Sequence, residues 1–119
     1  MRTSRRSRRS SLRRVLLGFR RRSRFADVVE RQLDLFEHEH AGLIRDCESA
    51  LRSYTEAESD EAEERYGDFV DLVDTGRGEL VSLRDSYVQT LDERTAEEYV
   101  YVFNARVRKR LPRFGLELD

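Results

Sequence analysis

Apolar and small side chains recur at alternating steps of four and three residues along two stretches of this chain, a spacing that keeps them on one face of an α-helix. The first stretch consists of Val29, Leu33, Phe36, His40, Leu43, Cys47, Ala50 and Tyr54. The second consists of Ala62, Tyr66, Phe69, Val73, Gly76, Leu80, Leu83 and Tyr87. The spacing predicts two long helices, over about residues 25–54 and 60–91, with these residues as their core.

We call each of these two sets of residues a seam. The heptad spacing of the first seam does not continue in phase into the second, which predicts a turn between them. Residues 55–61 contain neither Gly nor Pro, so one continuous helix is the alternative. That helix would place the acidic residues Glu61 and Glu64 in the core. If the chain instead turns, with Asp60 as N-cap and Glu63 in a capping box, the second helix can begin in the phase that places its apolar residues in the core. We therefore expect a long, coiled-coil-like antiparallel helical hairpin.

The register of the hairpin follows from where the chain turns. A turn at Glu58 places His40 opposite Gly76 and Cys47 opposite Phe69. Further apolar residues lie off the seams: Val28, Leu35, Ile44, Leu51, Val70, Leu72, Val81 and Val88. Since these side chains need another layer to cover them, the hairpin is not expected to be the whole fold.

A third helix is predicted over residues 95–111. Thr95 and Glu98 form a capping box, and Pro112 ends the helix. The alternating segment 99–103 would also suit a strand, but the cap and the basic last turn favour a helix. An extended tail follows at 112–119, in which Phe114 and two leucines can dock on the body. The expected fold is all-α, either a three-helix bundle or a dimeric helical bundle.

Charge divides the chain into three regions although the formal net charge is only −1. Residues 1–26 carry eleven Arg and no acid, residues 27–103 carry seven Arg and 22 acids, and residues 104–119 carry five basic and two acidic groups. The Arg/Ser-rich segment 1–24 has too few apolar groups to pack and is predicted to be a disordered basic tail. The helical domain is predicted to span residues 25–111.

Four interpretations of the basic tail remain open. It can bind nucleic acid or another anionic surface, act as a presequence, fold back on the acidic body, or come from a mis-set start and be absent from the native protein. Leu12, Leu16 and Phe19 recur within it at helical spacing. The candidate nucleic-acid-binding residues are Arg5, Arg6, Arg8, Arg9, Arg13, Arg14, Arg20, Arg21, Arg22, Arg106, Lys109 and Arg110.

Few residues suggest chemistry. Glu37 and His40 form the Glu-x-x-His step found in metal sites of helical bundles, but the further ligands that such a site needs are absent. Cys47 lies in the first seam without a neighbouring base, as expected of a buried thiol. Gly76 and Gly78 lack the Lys and Ser/Thr of a phosphate loop. We therefore expect no catalytic residues and no cofactor.

The chain has 119 residues, which favours one small domain over a large enzyme. Its single Cys excludes an internal disulfide, and no apolar run reaches the roughly 20 residues of a membrane span. These features are typical of a cytoplasmic protein. The sequence predicts a non-enzymatic helical interaction module that self-associates or binds a partner protein. Nucleic-acid binding is the alternative, and a metal-binding bundle is a weaker one.

Overall fold

The computed structural model describes residues 24–115, and within that range the chain is entirely helical and loop, with four helices. They are α1 (residues 24–39), α2 (Ala41–Glu56), α3 (Ala62–Val88) and α4 (Glu93–Arg110). The predicted all-α class is confirmed, and the predicted number of helices, three, is wrong. The predicted basic tail, apart from Arg24, and the end of the predicted C-terminal tail, 116–119, lie outside the described residues.

A local change in the backbone at His40 separates α1 from α2, where the sequence predicts one helix. His40 has φ −113° and ψ 28°, outside the helical range. Its N–H still donates to the Phe36 carbonyl at 2.8 Å, and the Ile44 N–H donates to the His40 carbonyl at 3.0 Å. Because i to i−4 hydrogen bonds form on both sides of His40, the interruption of the helix is confined to this residue.

The contacts between α2 and α3 shift the register from the predicted one by about one helical turn. The Tyr54 and Tyr66 rings lie 5.2 Å apart, whereas a turn at Glu58 would place Tyr54 opposite Ala62. His40 lies against Glu79, with 4.0 Å between Nε2 and Oε2, rather than against Gly76. The loop between the helices occupies residues 57–61, so its centre lies later in the chain than the predicted turn at Glu58.

Different residues cap the helices than the sequence suggested. Asp92, not Thr95, is the N-cap of α4, and its carboxylate accepts a hydrogen bond from the Thr95 backbone N–H at 2.9 Å. The Thr95 hydroxyl donates to the same carboxylate. These hydrogen bonds lower the pKa of Asp92. At α3 the N-cap is Glu61, without a side-chain cap hydrogen bond, instead of Asp60.

The core lies where α1, α3 and α4 meet. At one end Phe25 packs edge-on against Tyr99 of α4, with ring centroids 5.8 Å apart. At the other end Glu37 pairs with Arg110, so α1 and α4 run in the same direction. The buried apolar residues form one cluster: Phe25, Val29, Leu33, Phe36, Cys47, Val73, Leu80, Tyr99, Phe103, Val107 and Phe114.

The chain turns back after α4. Pro112 follows the last helical turn, and the Phe114 N–H donates to the Leu111 carbonyl at 2.9 Å. Residues 112–114 thus form a turn where an extended tail was expected. This turn buries the Phe114 ring against Phe36, with ring centroids 6.2 Å apart. The side chain closes the core near the middle of α3.

Candidate functional site

An ion-pair cluster joins the end of α4 to α1. Arg110 lies at its centre: its Nε is 3.0 Å from Glu37 Oε1, its Nη1 is 2.8 Å from Glu30 Oε2, and its Nη2 contacts Asp34. The three carboxylates follow one another at steps of four and three residues, so they form an acidic stripe along α1. Hydrogen bonds to Glu37 and Asp34 raise the pKa of Arg110.

This cluster engages two of the candidate nucleic-acid-binding residues. Besides the Arg110 contacts, Arg106 Nε lies 3.2 Å from Glu30 Oε1. A phosphate would have to compete with carboxylates that already hold both guanidinium groups. Lys109 is exposed at the same end of α4. The nine candidate arginines of the basic tail lie outside the described residues.

We expect Arg110→Gln to destabilise the protein by about 1–2 kcal/mol, because it removes charge-assisted hydrogen bonds from three carboxylates. The value is kept small because Asp34 is largely exposed and its attraction is screened by solvent. Urea unfolding followed by circular dichroism measures the change. Lys109→Gln, at an exposed neighbouring position, is the matched control and should leave the midpoint unchanged. Equal effects of both variants would contradict a specific role for the cluster.

Glu37 and His40, the candidate ligands of the weaker metal-binding alternative, have other neighbours. Glu37 binds Arg110, while the His40 ring packs on Phe36 with 4.8 Å between ring centroids and faces Glu79. In residues 24–115 no group of three or more His, Cys, Asp or Glu side chains is arranged to hold a metal ion. The structure therefore does not bring these two residues together with further ligands.

Cys47 is buried at the edge of a small cavity of about 250 Å³. Ile44 and Glu48 of the same helix and residues 110–114 also line this cavity. Burial raises the pKa of the Cys47 thiol, and nearby Arg113 offsets this effect only in part. A raised pKa disfavours the thiolate, which is the nucleophilic form of cysteine.

The predicted hairpin core residues differ in how deeply they are placed. The buried ones are Val29, Leu33, Phe36, Cys47, Val73, Gly76 and Leu80. The half-buried ones are His40, Leu43, Phe69, Leu83 and Tyr87. Tyr66 is exposed, with 47% of its surface accessible. None of the buried residues therefore lies closer to the α2–α3 loop than Cys47 and Val73.

A buried polar pair between α3 and α4 was missed from the sequence. Arg84 Nη1 donates to Asn104 Oδ1 at 3.1 Å, and both residues are buried. Arg84 Nε also donates to Asp85 at 3.0 Å. The available signal was spacing, because Arg84 lies four residues after Leu80 and three before Tyr87. The predicted seam passes through Leu83 instead, and a charged residue seldom enters a core unpaired, so the sequence makes no prediction of burial for Arg84.

A shallow apolar groove of about 740 Å³ lies between the end of α3 and the first half of α4. We call it the α3–α4 groove. Its apolar lining consists of Val88, Leu91, Ala96 and Val100. Glu93 and Glu97 add two carboxylates, and Tyr101, which also lines the groove, has 62% of its surface accessible.

The described residues thus offer three surfaces with distinct chemistry: the ion-pair cluster, the α3–α4 groove, and the ends of α2 and α3 that flank their loop. None of the helices between residues 24 and 115 combines the length and the apolar composition of a transmembrane span. Comparisons with protein-family models, curated proteins and solved structures find no match to this chain.

Proposed function

We propose that this protein is a small, non-enzymatic helical interaction module that self-associates through the outer parts of α2 and α3. The observation that carries the proposal is the exposure of residues 48–72, which we call the outer hairpin. Each of these residues is exposed or half-buried. The apolar ones are Ala50, Leu51, Tyr54, Ala57, Ala62, Tyr66, Phe69, Val70 and Leu72.

The cause is that the outer hairpin has only two helices. Elsewhere α4 and the returning chain supply a third layer, and Phe114 is the part of that layer that reaches Cys47 and Gly76. Two helices alone can bury the seam between them but not the apolar residues beside it. Leu51 and Val70 are such residues, and neither packs against the core cluster. A second copy would cover them.

The proposed dimer therefore contains two kinds of helical bundle. Helices α1, α3 and α4 form a three-helix bundle within one chain, while two outer hairpins from two chains form a four-helix bundle. Tyr54 and Tyr66 support this proposal, because they are 36% and 47% exposed and aromatic side chains are enriched in protein interfaces. Burying apolar surface at about 25 cal/mol per Å² provides the driving force.

Charge predicts the relative orientation of the two copies. The loop end of the outer hairpin carries Glu56, Glu58, Asp60 and Glu61, all exposed. Two such ends placed side by side would repel each other, and salt would weaken the repulsion. We therefore propose that the hairpins pair in opposite directions, with the two loops at opposite ends.

Sedimentation equilibrium over a range of concentrations tests the proposal. We expect a dimer, and we expect Leu51→Glu and Val70→Glu each to raise its dissociation constant at least about tenfold, because a buried apolar side chain contributes about 1.5–3 kcal/mol. The matched control is Leu35→Glu, which places the same charge at an exposed leucine of α1. It should leave the dissociation constant unchanged.

Two results would overturn self-association through this surface. One is a monomer at every concentration tested. The other is an equal effect of Leu35→Glu and Leu51→Glu on the dissociation constant. Circular dichroism of each variant shows whether its helices are retained. A monomeric but fully helical wild-type protein would direct the search to a different protein as partner.

A further inference from the structure

The α3–α4 groove lies at the opposite end of α3 from the outer hairpin, so the proposed self-association leaves it uncovered. Val88, Leu91, Ala96 and Val100 give it an apolar surface. Its charged residues are two carboxylates, Glu93 and Glu97, both exposed. A segment that fills this groove should therefore combine apolar side chains with positive charge.

Residues 1–23 of the same chain have this composition. They contain ten Arg and no acidic residue. Leu12, Leu16 and Phe19 follow one another at steps of four and three, which would place them on one side of a helix. Arginines precede and follow this apolar set along the chain. The apolar side chains match the groove lining, and the guanidinium groups match Glu93 and Glu97.

The point at which the described chain begins lies within reach of the groove. Arg24 Nη2 lies 3.5 Å from Glu98 Oε2, and Glu98 follows Glu97 directly on α4. The five peptide units that join Phe19 to Arg24 can span about 17 Å when extended. That length exceeds the diameter of a helix, about 10–12 Å, so the segment can cross α4 to the groove.

We propose that residues 12–19 dock in the α3–α4 groove of their own chain, with apolar side chains against Val88 and Val100 and arginines against Glu93 and Glu97. Docking would occupy the arginines with internal carboxylates. A polyanion would then have to displace them, and salt would weaken the docked state by screening. This inference does not depend on the outer hairpin.

A spin label on the full-length chain tests the proposal. The label is attached to Ser11→Cys in a Cys47→Ala background, which leaves one reactive thiol. We expect it to remove most of the amide signal intensity of Ala96 and Val100, and to do so less when salt rises from about 0.05 M to 0.5 M. In the same labelled chain, Glu93→Arg with Glu97→Arg should restore those signals. Glu63→Arg with Glu64→Arg, at exposed acidic positions of α3, should not.

Isotope mixing separates one chain from two. Spin-labelled chains without isotope are mixed with isotope-labelled chains that carry no spin label, and the groove signals should then keep their intensity. Loss of signal in that mixture, loss at the acidic loop 57–61 instead of the groove, or no loss at any site would each overturn the proposal.

A second measurement avoids the Cys47 change. In the amide spectrum of the unlabelled chain with Cys47 retained, Glu97→Arg should shift groove signals at low salt more than at high salt.

Discussion

Replacing Gly76 by leucine should destabilise the protein by about 2–4 kcal/mol and expel the Phe114 ring from the core. Gly76 is buried in the middle of α3, and a Cβ atom added to it would lie less than 3.0 Å from three carbons of that ring. The helix backbone cannot move away without disturbing its neighbours, so the ring at the end of the chain is the part that shifts. Phe114 then loses the burial that keeps it 3% exposed.

The same helix supplies a matched control. Gly78 is exposed, and an added Cβ would meet no atom within 4 Å. Gly78→Ala should therefore stabilise the protein by about 0.5–1 kcal/mol, since alanine has the higher helix propensity. Chemical unfolding at equilibrium measures both variants.

Phe114→Ala tests the mechanism. If Gly76→Leu acts through the ring, its cost should be much smaller in a Phe114→Ala background than in the wild type. Equal costs in the two backgrounds would show that leucine at position 76 disturbs something other than Phe114.

Position 76 also shows how far sequence reasoning extends. The heptad spacing predicts that Gly76 is buried and small for a packing reason. It names His40 as the neighbour, whereas the neighbour is Phe114. A seam describes contacts between two helices joined by a short turn, but Phe114 returns from 38 positions further along the chain. Nothing in the local sequence encodes that return beyond Pro112 and an apolar residue after it.

The break at His40 could not be predicted for a different reason. Position 40 is not a Gly and no Pro lies near it, and the apolar spacing continues across it. Helix boundaries are encoded by caps, and here no side chain caps α2. The hydrogen bonds that flank His40 show how small the departure is.

The sequence shows the charged residues of the ion-pair cluster but not that they pair with one another. The acidic stripe of α1 and the basic end of α4 are both evident as charge runs, and each alone is typical of a solvated face. Their pairing depends on α1 and α4 running side by side, which is a tertiary fact. The sequence presents Glu37 only as half of a Glu-x-x-His step, whereas its partner in the structure is Arg110.

Tyr99→Ala should destabilise the protein by about 3–5 kcal/mol, a typical cost for removing a buried aromatic ring. Tyr99 is fully buried, and its ring contacts Phe25 of α1, Tyr87 of α3 and Phe103 of α4. One side chain thus joins three helices. The change should lower the urea midpoint of a single cooperative transition. A second transition, from an outer hairpin that unfolds separately, would contradict the view of one cooperative unit.

Tyr99→Phe separates the ring from its hydroxyl group, which donates a hydrogen bond to Gln32 Oε1 at 2.8 Å. Burial raises the pKa of Tyr99 to about 12, above the ordinary value of 10.0. The folded state therefore holds this proton more tightly than the unfolded state, so stability is fully present below pH 10.0 and is lost as pH rises towards about 12. Tyr99→Phe should keep most of the packing and reduce this alkaline loss. If its stability falls as steeply as that of the wild type over this range, another group causes the loss.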